Sequence, residues 1–242
     1  IGVLLTSNSK RVKMLLTGLI LISFIALMAT QSRATWMGLP VMYLCFIAMS
    51  KKRLMLLGVL AAIIAVGPFI MPESYKERYG GTFEREAGYK ATVGGTDLAL
   101  DSSATERVQS WQGVLRDFKN HPIFGYGING YWFIDGQFFR TLAELGLVGT
   151  SIFIFMLYQI GKFLLAANRI ASDNLGKGLT MGMFAGFLAL LVHCFGSNTF
   201  IVVRIMEPFW FLMGITVVLY HIDKKKLEAL QNESDALTEI VH

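Results

Sequence analysis

The sequence predicts an all-α, polytopic membrane helix bundle of about six spans, with a long outer loop that contains an amphipathic helix. Three observations predict it. The 242 residues are 54% hydrophobic and only 16% charged, with mean hydropathy +0.52, a membrane composition rather than that of a soluble core. Six apolar runs fall at residues 14–29, 34–49, 54–71, 142–166, 179–199 and 205–220. Runs of this length satisfy their backbone in lipid as helices rather than as barrel strands. Basic clusters then recur at every second gap between the runs.

Lys10, Arg11 and Lys13 precede the first run and imitate the head of a signal peptide. The run is too long for a signal sequence, and further spans follow. The chain opens on Ile1 without Met, so it reads as a piece of a longer protein with earlier helices before it. Lys51, Lys52 and Arg53 follow the second run. Lys162, Arg169 and Lys177 flank the gap between the fourth and fifth. Lys224, Lys225 and Lys226 follow the sixth. With six spans these clusters share one side, which the positive-inside rule makes cytoplasmic. The chain then divides into three spans within 1–71, an outer loop 72–139, three spans within 140–221 and a cytoplasmic tail 222–242. The pI near 9.2 follows from this topology and implies no nucleic-acid partner. Cys45 and Cys194 lie in apolar runs and read as small buried residues, neither metal ligands nor a disulfide.

The outer loop carries nine acidic and seven basic residues. Its first part, 73–101, is charged and glycine-rich, and reads as a mobile lid or spacer, or as disordered. Residues 103–119 read as an amphipathic helix. Ser103-Ala104-Thr105-Glu106 fits a capping box, and Arg107, Trp111, Val114 and Phe118 share one face. With that cap Arg107 lies in the first turn, against the helix dipole, at a cost of roughly 0.3–1 kcal/mol that a bound anion would reverse. The alternative is an arginine that snorkels to solvent or pairs with a nearby acid. His121-Pro122-Ile123-Phe124-Gly125-Tyr126-Gly127 ends the helix, and its glycines permit close backbone approach. The short Gly-x-Gly lacks a preceding strand, so it is no dinucleotide site.

Of the 22 basic residues, three lie outside both the cytoplasmic clusters and the outer loop: Arg33, Arg140 and Arg204. All fall at the outer ends of spans, and none is lysine. An all-arginine set suits bidentate recognition of phosphate or carboxylate. Ser32 could cap the second span and aim its helix N-terminus at the same anion. Arg140 can instead pair with Glu144, and Arg204 with Glu207; Arg33 has no such local acid. His193, with Ser197, Asn198 and Thr199 after it, falls in the outer third of the fifth span. It is a functional candidate or a helix–helix hydrogen bond.

In order, Ser32-Arg33-x-x-Trp36, Arg107-x-x-x-Trp111, the His121–Gly127 segment, Asp135-Gly-Gln-Phe-Phe and Leu142-Ala-Glu-Leu-Gly-Leu-Val-Gly149 resemble the C-terminal half of the O-antigen polymerase and O-antigen ligase superfamily. The resemblance covers roughly residues 15–219. It implies a glycosyltransferase of the bacterial inner membrane with its site facing the periplasm or exterior. Its implied partners are donor and acceptor glycans on undecaprenyl diphosphate, membrane lipids and chain-length regulator proteins. Arg33 and Arg107 match arginines expected to hold the diphosphate. Asp135 stands where ligases tend to carry histidine, which favours a polymerase.

The chemistry fits such residues. An acceptor hydroxyl attacks the anomeric carbon, and the lipid diphosphate leaves, its charge met by arginines. Asp135 is the expected base, although it could instead cap the fourth span. His121 is the alternative base or a mere helix terminator. Tyr126 is a further candidate. No Asp-x-Asp pair suggests a metal-bound nucleotide sugar, so no metal or other cofactor is expected. A transporter of anionic lipid would place polar groups at mid-membrane on broken helices, whereas these spans read as unbroken.

Overall fold

The structure, a computed structural model, describes residues 1–30, 32–70, 91–93, 96–98 and 102–241. The helices are α1 (Gly2–Thr6), α2 (Lys10–Thr30), α3 (Arg33–Met49), α4 (Arg53–Ile70), α5 (Ser102–Asp117), α6 (Gln137–Ile170), α7 (Asn174–Gly196) and α8 (Val203–Val241). Most of the expected lid lies outside the described residues. Within it, Ala91–Val93 and Thr96–Leu98 form a two-stranded antiparallel hairpin, with Val93 opposite Thr96. This short pair leaves the all-α class unchanged.

Among the described residues four helices are long and apolar enough to cross a membrane: α2, α6, α7 and residues Val203–Ser234 of α8. Shorter apolar stretches occupy α3 and α4. The 17 residues of α3 reach about 26 Å at 1.5 Å per residue. The surface argues for lipid more directly than length does. Helix α2 buries no residue, and Met14, Leu15, Ile22 and Ile25 stand open. Leu54, Ile64 and Phe69 do the same on α4. Water would not tolerate apolar faces of this extent.

The chain divides into two compact units, residues 1–53, 157–192 and 200–242 in one and 54–156 with 193–199 in the other. In the first, α7 offers small residues to its neighbours. A Cβ on Gly2 would lie 2.8 Å from the Gly182 nitrogen, and one on Gly38 would lie 3.0 Å from the Ala189 oxygen. Such residues let helix backbones touch where lipid supplies no hydrophobic drive. Phe46, Leu164 and Phe187 are fully buried there. Trp36 packs edge-on against Phe24, their centroids 6.4 Å apart. The end of α6 is tied to α8, because Ser172 donates through its backbone N–H to Asp223 Oδ2 at 3.3 Å. Helix α8 runs on as far as Val241, so residues 222–241 of the expected tail continue the last span as helix. Both cysteines are free and buried, as their apolar settings imply.

In the second unit α5 docks the expected face. Val114 and Ile134 are almost wholly buried with Ala143, and Trp111, Tyr131, Phe139 and Leu142 pack around them. Burying a Val or Ile side chain contributes about 1.5–3 kcal/mol. Helix α5 starts at Ser102, so Arg107 is in its second turn rather than its first. The dipole fades within one turn, so the expected dipole penalty on Arg107 largely disappears. The side chain of Ser103, and with it the capping box, lies outside the described residues.

Candidate active site

The expectation of unbroken spans is overturned at Gly146, where α6 leaves helical geometry with φ 62° and ψ −161°. A break strands backbone groups that need partners. The His121–Gly127 segment supplies them. Tyr126 and Gly127 donate their N–H groups to the Ala143 and Glu144 carbonyls, each at 2.9 Å. Leu147 and Val148 donate theirs to the carbonyls of Pro122 and Ile123, at 2.9 and 3.2 Å. Two glycines make this interlock possible. A Cβ on Gly146 would come within 2.4 Å of the Ile123 oxygen, and one on Gly125 within 2.5 Å of the Glu144 carbonyl carbon. The two sequence motifs are therefore halves of one joint.

The chain that leaves this joint delivers Asp135. Three contacts fix it. Trp111 Nε1 donates to the Asp135 carbonyl at 2.8 Å, while its ring stacks on Phe139 with centroids 4.7 Å apart. Asn198 Nδ2 donates to the neighbouring Ile134 carbonyl at 2.8 Å. Gly136, with φ 114°, fits where a Cβ would lie 2.9 Å from Trp111 Nε1. One turn before Trp111 on the same face, Arg107 Nε lies 3.8 Å from Asp135 Oδ2. The Arg107-x-x-x-Trp111 spacing thus places a guanidinium beside the carboxylate of Asp135 and an indole N–H on its carbonyl. Helix α6 begins at Gln137, and Arg140 N–H bonds the Gly136 carbonyl. Asp135 therefore sits one residue too early for the cap position and faces Arg107 instead.

Arg107 and Asp135 share a cavity of about 290 Å³ with Glu106, Ser110 and Phe133. From sequence Glu106 entered only as part of a capping box, and Ser110 and Phe133 were not singled out. Ser110 could have been, since it follows Arg107 by three residues on a helix. The ion pair is loose: its side chains are 33% and 40% exposed. An exposed pair contributes about 0–1 kcal/mol, so a ligand can part it at little cost.

The other expected residues fall in several places. Arg140 Nε bonds Glu144 Oε1 at 2.9 Å, the local pairing the sequence allowed. Its Nη2 donates to Asn129 Oδ1 at 3.0 Å, and its guanidinium lies over Phe133, 6.0 Å from the ring centre. Arg140 therefore ties the loop to α6. Tyr126 donates its hydroxyl to the Asp117 carbonyl at 3.0 Å, and His121 sits edge-on against its ring. Tyr131 donates to Asp117 Oδ2 at 2.7 Å. That bond, with one from Arg116, holds the Asp117 carboxyl below the usual range. His193 Nδ1 is 2.7 Å from Thr199 Oγ1, a bond within the turn that carries Asn198.

Arg33 and Arg204 belong to the first unit, and Arg107 and Arg140 to the second. Ser32 holds the N-cap position of α3 without a side-chain cap bond, and the Arg33 side chain lies outside the described residues. Arg204 is exposed, and no ion pair joins it to Glu207 among the described residues. Among the described residues no cluster of three or more His, Cys, Asp or Glu could hold a metal.

Fold and cavity together define a multi-pass helical membrane protein with a paired cation and carboxylate in its loop-bearing unit. A family model described as O-antigen ligase matches residues 18–154, more than half of the chain, so the chain belongs to the O-antigen ligase family. Members of this family are membrane enzymes of glycosyltransferase type, ligases and polymerases alike. No curated protein and no solved structure matches the chain. The matched stretch contains Arg33, Arg107, Asp135 and the Gly146 joint, and ends before α7 and α8.

Proposed function

We propose that the protein is a polymerase of polysaccharide repeat units, taking glycans from a polyprenyl-diphosphate donor at the outer face of the inner membrane. The observation that carries this reading is the Arg107–Asp135 pair in one open cavity. Arg107 binds a diphosphate oxygen and stabilises the charge that grows as the bond from the anomeric carbon to that oxygen breaks. Asp135 takes the proton of the attacking sugar hydroxyl, and the new glycosidic bond forms as the lipid diphosphate leaves. Trp111 and Asn198 are positioning residues, because they hold the Ile134–Asp135 backbone. Arg33 is assigned to diphosphate binding on its Ser32-Arg33-x-x-Trp36 motif alone. Arg140 and Tyr126 hold the loop.

The alternative within the family is a ligase that passes the glycan to a lipid or other acceptor. Aspartate rather than histidine before α6 favours the polymerase. The Gly146 break bears on transport, since transporters use broken helices. Here its backbone groups are taken by the Pro122–Gly127 segment, which does not suit a substrate path.

Surface glycan from a deletion strain separates the readings. Single repeat units on the usual anchor indicate a lost polymerase, and a bare anchor indicates a lost ligase; unaltered glycan would overturn both. Purified protein supplied with lipid-linked repeat units is expected to extend them in EDTA. Activity that vanishes in EDTA and returns with Mg²⁺ would refute a metal-free mechanism.

A further inference from the structure

The chain from Pro122 to Ile134 carries no charged residue, although Lys119 and Asp135 bound it closely. Five of its large apolar side chains stand open: Ile123 at 56% exposure, Phe124 at 73%, Ile128 at 78%, Trp132 at 67% and Phe133 at 75%. A cluster of this size in so short a segment marks an interaction surface.

Its depth is fixed by the joint. The four backbone bonds between residues 122–127 and 143–148 hold the segment level with Gly146. From Leu147, α6 runs uncharged to Gly161, just before Lys162 of the cytoplasmic cluster, about 15 residues or ~22 Å, so a hydrocarbon core of ~30 Å ends within two turns beyond Gly146. Gly146 therefore lies near a membrane boundary, and the segment lies there with it. The open side chains of Leu145, Leu147, Val148 and Ile152 continue the apolar surface down α6. Backbone polar groups do not bar shallow entry: the N–H groups of Gly125, Tyr126, Gly127 and Gly130 are all bonded. Trp and Tyr suit headgroup depth, where an apolar ring and a polar edge are both satisfied.

We propose that the segment from Ile123 to Phe133 inserts into the bilayer interface beside α6 and holds the Arg107–Asp135 cavity at the membrane surface. Its partner is the lipid surface itself. A lipid-linked donor would then reach the cavity with its diphosphate at headgroup height.

Fluorescent labelling of single cysteines tests this in phosphatidylcholine vesicles, with the two native cysteines buried. Phe124→Cys and Ile128→Cys each carry an environment-sensitive dye, and Gln109→Cys on the exposed side of α5 is the aqueous reference. Nitroxide lipids labelled near the headgroup are expected to quench the dyes at 124 and 128 several-fold more than the dye at 109. Aqueous iodide is expected to do the reverse. Iodide quenching at 124 and 128 equal to that at 109 would overturn the proposal. Shielding from both quenchers would point to a protein partner and overturn it equally. Neither result depends on whether the protein transfers sugars.

Discussion

Arg107 is placed four residues before Trp111, so both side chains meet the same residue, Asp135. Lysine in place of Arg107 keeps the charge but loses the planar fork that can grip a phosphate at two points. Arg107→Lys is expected to lower chain extension by about 10²-fold, the scale of one lost donor to a developing anion, at normal protein levels. Arg33→Lys should act in the same direction. Glycan length in membranes from each variant is the measurement, and wild-type length removes that arginine from the site. Asp117 gives a pH prediction. Its depressed pKa stabilises the fold above the ordinary carboxylate value near 3.8. That contribution is lost as the pH falls through the folded value. Tyr131→Phe removes the largest cause, so the variant should lose less melting temperature than the wild type between about pH 6 and about pH 3. Equal losses in both proteins would show that the Asp117–Tyr131 bond does not matter.

At the scale of elements, the joint between the His121–Gly127 segment and α6 decides where Asp135 stands. Gly146→Ala adds a Cβ within 2.4 Å of the Ile123 oxygen at a φ of 62°. Its expected cost is at least ~1–3 kcal/mol, read as a lower melting temperature in detergent with loss of glycan extension. A Gly146→Ala protein as stable and active as wild type would show that the break is incidental. Part of this joint was legible in sequence. The glycines of the His121–Gly127 segment announced a close approach, but not to what. Leu142–Gly149 read as the head of an ordinary span, because one glycine in an apolar helix has no local signature of a break. Most of the face of α5 was legible, since Arg107, Trp111 and Val114 recur at helical spacing, whereas Phe118 falls just past the end of the helix.

For the whole molecule, the basic clusters set an orientation that accessibility can check. Gln109→Cys should react with a membrane-impermeant maleimide in intact spheroplasts. Asn232→Cys, beyond the Lys224–Lys226 cluster, should react only after permeabilisation. The opposite pattern would invert the topology and put Arg107 in the cytoplasm. Buried Cys45 and Cys194 should contribute little background.

The class of this protein is legible in the chain before it folds: apolar helices in number and order, their basic flanks, and the amphipathic helix in the loop. Each is written in the length or period of one continuous stretch, because lipid and the helix both act locally on the chain. Folding in three dimensions is what brings Arg107 to Asp135, gives Arg140 to Glu144 and Asn129, and breaks α6 at Gly146. Apart from the Arg140–Glu144 pair, which local spacing allowed, these contacts join residues 11 or more apart or depend on another segment's backbone. Arg107 and Trp111 act on Asp135 from the far side of a loop, and no local period records which carboxylate a guanidinium will face.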